Sequence, residues 1–337
     1  MRSAVLTAPE KPLELVERDV PEPGPGEILV KMTACGMCFS EVNQFHGHYP
    51  FGRFPVVPGH EISGVVAALG QGVDWPAVGT PVGAQFTYTS CGRCDYCVRG
   101  DQMLCTGPKH VTGVNHDGGY AEYFVARAGF VTPLPEGLDP VAAAPLMCAG
   151  ITAFNGLRQG GAVAGSKVAV LGTGGVGTMA VRFAVAIGAR VAVVSRSRRA
   201  EKEMRDLGAE VFVATEEEDP AKALLAWDGG VDLAMNTAPD TATGLAAFEG
   251  LRPDGTLLYL GYGPEPVTLH PLGLVLHRRR IMGSPSGAPK DLRDTLAFAT
   301  AHGIVPEVTR VGLDDAPRIL ATMVDGTARG RSVITFD

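Results

Sequence analysis

The feature that most restricts the fold is a glycine cluster, Gly172-Thr173-Gly174-Gly175-Val176-Gly177, set between the apolar run Lys167–Leu171 and a helical stretch over 176–187. A G-x-G-x-x-G run is weak evidence alone, but where it closes a strand and opens a helix it describes the turn of a dinucleotide-binding βαβ unit. The glycines permit a tight turn and the close approach of a pyrophosphate, whose charge suits the helix N-terminus. A glycine-rich turn with no ligand is the plain alternative. The same rhythm continues along the chain: 190–194 reads as a strand, about 200–207 as a helix, then 210–213, Val231–Asn236, 256–260 and Arg280–Gly283 as strands. Apolar strands separated by amphipathic helices imply a parallel, doubly wound sheet covered on both faces, here with six strands.

The first 150 residues have another texture. Turn clusters such as the Pro-Glu-Pro-Gly-Pro-Gly of 21–26 separate short β-like runs at 27–31, 62–66 and 119–125, which suggests a bent, barrel-like sheet. After Ser284 there is too little for a third domain: a helix over 291–301, another near 316–323 and a closing strand at 332–336. The expected organisation is therefore 1–150 as a β-rich domain, 151–284 as the nucleotide domain, and 285–337 returning to the first. A length of 337 residues accommodates two such cores. The net charge of −7 repels polyphosphate and anionic lipid, so neither nucleic acid nor a membrane surface is expected as a partner. No apolar run approaches the roughly 20 residues of a membrane span, and the opening MRSAVLTAPE lacks the apolar core of a signal peptide. The expected compartment is the cytoplasm.

Seven cysteines in such a chain read as metal ligands or thiols before disulfides, and the odd count prevents complete pairing. Cys91, Cys94, Cys97 and Cys105 follow the spacing C-x2-C-x2-C-x7-C, which a loop can gather tetrahedrally around one Zn²⁺. Four protein ligands leave no open position, so this site would be structural and would hold an excursion at about 88–108. Free thiols or an iron–sulfur cluster are the competing readings. Cys38, His60 and Cys148 are dispersed. Two thiolates and an imidazole leave one tetrahedral position for water or substrate, the pattern of a catalytic zinc. Taken singly, each of the three is more often structural. Taken jointly with the first set, they leave only Cys35 unassigned. Two zinc ions per chain is the expectation.

Where an acidic residue would hold the ribose hydroxyls of NAD, the second strand ends in Ser195-Arg196-Ser197-Arg198-Arg199. A hydroxyl among guanidinium groups suits a 2′-phosphate through charge-assisted hydrogen bonds. The sequence thus favours NADP(H) over NAD(H), through Ser195, Arg196 and Arg199. A solvated charge cluster starting a surface helix is the alternative.

Together these motifs resemble the zinc-dependent alcohol dehydrogenases of the medium-chain dehydrogenase/reductase superfamily, over essentially the whole chain. The Gly-His-Glu-Ile-Ser-Gly of 59–64, continued by Gly70 and Val73, is similar to that family's zinc signature. The Ser195–Ser197 segment and the Asp-Gly-Gly-Tyr-Ala-Glu of 117–122 look most like its NADP-dependent cinnamyl-alcohol-type branch. The resemblance implies an α/β protein in which a GroES-like catalytic domain is interrupted by a Rossmann domain. It implies hydride transfer between NADP(H) and a small-molecule alcohol/aldehyde or ketone pair, in a homodimer or homotetramer. It also implies roles: Cys38, His60 and Cys148 as catalytic zinc ligands, Glu61 as a carboxylate able to approach the metal, and Ser40 as the hydroxyl taking the alcohol proton. Arg331 matches an arginine that approaches the cofactor pyrophosphate, and Thr152 falls among the cofactor-binding positions. Asn43 stands where many relatives have a proton-passing His, so the relay beyond Ser40 should run to water, with His46 or His48 as a substitute. Phe86, Thr87, Tyr88 and the loop 46–49 are the expected substrate pocket. Two other functions suit parts of the pattern: a zinc-containing reductase of activated double bonds or imines, and a non-enzymatic cofactor-sensing or nucleic-acid-binding protein. The second is opposed by the balance of Arg93, Arg99 and Lys109 against Asp95 and Asp101.

Overall fold

The computed structural model describes residues 1–263 and 265–336; Asp337, the end of the expected return segment, lies outside them. The chain divides into two compact units, Met1–Ile151 with Gly287–Asp337, and Thr152–Ser286.

The second unit is a six-stranded sheet in the order Val211–Ala214, Arg190–Ser195, Lys167–Leu171, Val231–Asn236, Leu251–Tyr259, Arg280–Gly283. Every pairing in it is parallel. Its central strands bury successive residues on both faces, as with Val168, Ala169, Val170 and Leu171, which is the composition that helices on both sides demand. The strand order reverses between Lys167–Leu171 and Val231–Asn236, and a crevice for ligands lies outside the carboxyl ends of strands at such a point. Leu251–Tyr259 begins well before the expected 256–260. Pro253-Asp254-Gly255 reads as a turn in sequence, but in the fold it is absorbed as a register shift within the strand, with Asp254 at a φ of 68°.

The glycine loop is built as its chemistry requires. Gly172 has a φ of +105°, and a Cβ on Gly177 would strike the carbonyl oxygen of Gly172. A Cβ on Gly174 meets nothing within 4 Å, so that position keeps open space above the start of the helix Gly175–Ile187.

The first unit holds a seven-stranded sheet in the order Thr309–Val311, Ser332–Thr335, Glu27–Gly36, Glu61–Leu69, Pro81–Ala84, Val131–Pro133, with Tyr123–Arg127 pairing Glu27–Gly36 off that path. Its core gathers Ile28, Val30, Met32, Ile62, Val82, Tyr120 and Ile334. The expected strand at 119–125 is corrected to Tyr123–Arg127. The residues before it bond a different neighbour: the Gly118, Gly119 and Tyr120 amides donate to the carbonyls of Val57, Gly59 and Pro58 at 2.7, 2.8 and 3.0 Å. That bonding fixes the backbone immediately before His60. No single helix among the described residues is long and apolar enough to cross a membrane.

Gly177→Ala should cost about 1–3 kcal/mol by overpacking and lower the melting temperature, whereas Gly174→Ala should leave it unchanged and weaken nucleotide binding instead. Thermal denaturation alongside a nucleotide titration separates the two effects.

Candidate active site

Two ligand clusters form within the first unit. In one, donor atoms of Cys38, His60, Glu61 and Cys148 all lie within 4.8 Å of one another, and all four residues are buried. Cys38 follows the strand Glu27–Gly36 and precedes the helix Ser40–Phe45. His60 and Glu61 open the strand Glu61–Leu69, which pairs Glu61 with Gly36. Cys148 closes the 3-10 turn Ala144–Met147. A Cβ on residue 36 would strike the Glu61 carboxylate, so glycine there makes room for the acid.

The residue that orders this cluster is Glu41, which is buried. Its Oε2 accepts the Cys38 amide at 2.6 Å, and its Oε1 lies 2.7 Å from His60 Nδ1. A proton on Nδ1 facing the carboxylate leaves Nε2 as a lone-pair donor, and Nε2 is buried with no hydrogen-bond partner among the described residues. Glu61 Oε2 is likewise buried without one. The two thiol sulfurs stand 3.8 Å apart. Hydrogen bonding from Cys148 holds the Cys38 thiol well below its ordinary pKa, and the same bond, with burial, pushes Cys148 up. Burial pushes Glu61 up to about 8, against the pull of the Arg331 guanidinium. Orphaned nitrogen and oxygen atoms beside two sulfurs, one of them in an easily ionised thiol, are the donor set of a zinc site.

In the second cluster Cys91, Cys94, Cys97 and Cys105 converge to the same tolerance. Amides of Cys91 and Gly107 donate to Cys105 Sγ, each at 3.3 Å. Backbone bonds, first from Thr106 and then from Cys97, hold the Cys94 thiol down at about 6. N–H groups aimed at sulfur favour thiolate, the form that binds metal. Lys290 ties the excursion down through Asp101 at 2.8 Å.

In the second unit, a cleft of about 410 Å³ opens at the glycine loop. Gly172, Thr173, Gly174, Ser195 and Arg196 line it, together with Thr237, Ala238, Pro239, Asp240 and Thr243. Gly175, Val176 and Gly177 form the first turn of the helix behind it. Arg199 is exposed in the turn Arg198–Ala200 and is not among the lining residues. Arg198 is committed to Glu217 and Glu201 at 2.7 and 2.9 Å. Thr152 is buried in the helix Ala149–Gln159.

Two expectations change, those for Tyr88 and Thr87, and Arg331 has a partner that the sequence did not name. Arg331, assigned by resemblance to the pyrophosphate, is paired here with buried Glu61. Tyr88 does not face a substrate: its hydroxyl donates to Glu27 at 2.9 Å and its ring stacks on His116 at 3.6 Å. The Thr87 hydroxyl is turned to the Met103 sulfur at 3.0 Å. Phe86 does reach the site, edge-on to the His60 ring at 5.1 Å, and Tyr49 follows at 6.1 Å from Phe86. Ser40 Oγ lies 3.6 Å from Cys38 Sγ. Glu41 received no role from sequence, although its place one residue beyond Ser40 on the ligand loop was the available signal.

Residues 24–136 match the family model of the alcohol dehydrogenase GroES-like domain, and residues 175–301 that of the zinc-binding dehydrogenases. The alcohol dehydrogenase of Geobacillus stearothermophilus is 36% identical over 336 residues, covering 99% of this chain and 98% of its own. The CAD structure from Helicobacter pylori, complexed with NADP(H), superposes with a TM-score of 0.89 at 27% identity, over 99% of this chain and 97% of that one. Acetophenone reductase from Geotrichum candidum, in complex with NAD, gives 0.87 at 27% identity, over 99% and 97%. A Rossmann-type sheet joined to a GroES-like unit with a thiolate–imidazole cluster defines a zinc-type medium-chain oxidoreductase. The chain belongs to the zinc-dependent alcohol dehydrogenases, which interconvert alcohols and aldehydes.

Glu41→Ala should weaken zinc retention about 10–100-fold by freeing the His60 ring, read by competition against a chromogenic chelator. Cys97→Ser should lower the melting temperature, whereas Cys148→Ser should abolish turnover with a smaller loss of stability.

Proposed function

We infer that this alcohol dehydrogenase works with NADP(H) and holds two zinc ions, one at Cys38, His60 and Cys148 and one at the four-cysteine excursion. The observation that carries the metal assignment is the orphaned, buried Nε2 of His60, pointed by Glu41 into a pair of thiols. Bound zinc supplies Lewis acidity that polarises a carbonyl or lowers the pKa of an alcohol. The remaining work belongs to the chain. Ser40, half-buried beside Cys38, accepts the alcohol proton. Asn43, on the same short helix, cannot titrate and orients water at most. Glu61 stays held by Arg331. Phe86 and Tyr49 supply an apolar, aromatic wall that excludes water and packs the substrate's side group.

The similar structures carry NADP(H) in one case and NAD in another, so the cofactor reading rests on this chain's own residues. Ser195 and Arg196 line the cleft where an acid would repel a 2′-phosphate. Arg199, turned outward, would contribute only by reorienting. A second copy of the chain is the expected partner. The helix Leu272–His277 leaves Leu272, Val275 and Leu276 54%, 75% and 67% exposed, just before the edge strand Arg280–Gly283, whose outer side has no partner strand among the described residues, and such a surface favours self-association.

Elemental analysis of the purified enzyme should find two zinc ions per chain. Arg196→Ala should weaken NADPH binding roughly ten- to a hundredfold, the range for a hydrogen bond to a charged group, with little effect on NADH. Equal kcat/KM for the two cofactors would sink the preference. Ser40→Ala should lower kcat by about 10²–10⁴-fold, as loss of a positioned proton acceptor does, whereas Asn43→Ala should change it little. In Asn43→His, alcohol oxidation should gain an inflection near pH 6.5, the ordinary histidine value.

A further inference from the structure

Asp240 stands in the nucleotide cleft without a role in anything derived above. Asn236, fully buried at the end of its strand, donates through its amide nitrogen to the carbonyls of Ala238, Asp240 and Gly261 at 3.3, 2.9 and 3.3 Å. The Thr237 hydroxyl donates to the Leu171 carbonyl at 2.8 Å. These bonds make residues 237–240 a preorganised wall. Asp240 itself is oriented: its Oδ1 accepts the Thr243 amide at 2.7 Å and its Oδ2 the Thr243 hydroxyl at 3.0 Å. Each carboxylate oxygen retains a further lone pair. Among the described residues lining the cleft, Arg196 and Asp240 are the two that carry charge.

A nucleotide seated here places its pyrophosphate at Gly172–Gly174 and its ribose at the end of the second strand, by Ser195 and Arg196. The base is then left for the wall at 237–243. Asp240 can take up a further donor. A 2′-phosphate offers none and carries the same sign of charge, whereas the exocyclic amine of adenine presents two N–H groups. We propose that Asp240 reads that amine and is a specificity-determining residue for the purine base of the cofactor. The proposal rests on the reading that this cleft takes the adenosine half of a dinucleotide, but not on the preference for a 2′-phosphate.

The test is calorimetric titration of the purified protein with 5′-AMP and with purine riboside 5′-monophosphate, which has hydrogen in place of the amine. The unaltered chain should bind AMP about tenfold or more tightly, the low end for a hydrogen bond to a charged acceptor. Asp240→Ser keeps a side-chain oxygen for the Thr243 amide but is too short to reach the base, so the ratio should fall to about one. Asp240→Asn, whose amide oxygen still accepts, should retain part of the discrimination, and an unchanged melting temperature certifies both variants. Equal affinity in the unaltered chain overturns the proposal, as does a ratio that survives in Asp240→Ser. A change confined to 2′,5′-ADP relative to AMP overturns it too, because Asp240 would then face the ribose phosphate. Equal use of NADH and NADPH removes the Ser195–Arg196 assignment instead, and a persisting AMP ratio would still support Asp240 as the base reader.

Discussion

The catalytic cluster depends on one buried carboxylate, Glu41, whose two oxygens hold two different ligand segments. One oxygen takes the backbone of Cys38 and the other the ring of His60, so residues far apart in sequence are set to one geometry by a side chain that is itself too deep to move into water. Burial raises the cost of ionising Glu41, an effect that His60 opposes. The carboxylate and the imidazole therefore need each other before either can serve a metal. A hydrogen bond of this kind fixes the tautomer as well as the angle of a histidine ligand.

The charge balance of the cluster points the same way. Cys38, Cys148, Glu41 and Glu61 are four acidic groups in a space with one guanidinium, that of Arg331. Burial of unpaired charge is costly enough that such a set either stays protonated or takes up a cation. A divalent ion offsets most of that excess and suits the soft thiolates. The four-cysteine excursion answers a different need, since it has short helices and few buried apolar residues, and gathering sulfur substitutes for a core.

Much of this was legible in the sequence because it rests on local rules. The strands Lys167–Leu171, Val231–Asn236 and Arg280–Gly283 stand where apolar runs predicted them, and the cysteine spacing anticipated a single converging set. The misses share a cause: each depends on a partner remote in the chain. Tyr88 reads as a pocket residue until His116 and Glu27 claim it. Gly119 and Tyr120 read as strand until the carbonyls of Gly59 and Pro58 take their amides. The Pro253–Gly255 segment reads as a break, and only the neighbouring strand shows it to be a bulge. Glu41 looks like any acid in the first turn of a helix until His60 is brought beside it.

The pairing of Arg331 with Glu61 spans 270 residues, and the strand that follows Arg331 pairs Val333 with Gly36. The unit Thr152–Ser286, by contrast, is one uninterrupted stretch. On the ribosome the nucleotide-binding unit therefore has all its strands before the first unit can close its sheet, and a domain generally folds once its chain has emerged. Until Arg331 arrives, Glu61 lacks its guanidinium partner, and Ala34, Cys35 and Gly36 lack the strand that pairs them. The closing strand of the first unit and the Arg331–Glu61 pair are thus completed only when the last residues of the chain have been made, after every strand of the nucleotide-binding unit.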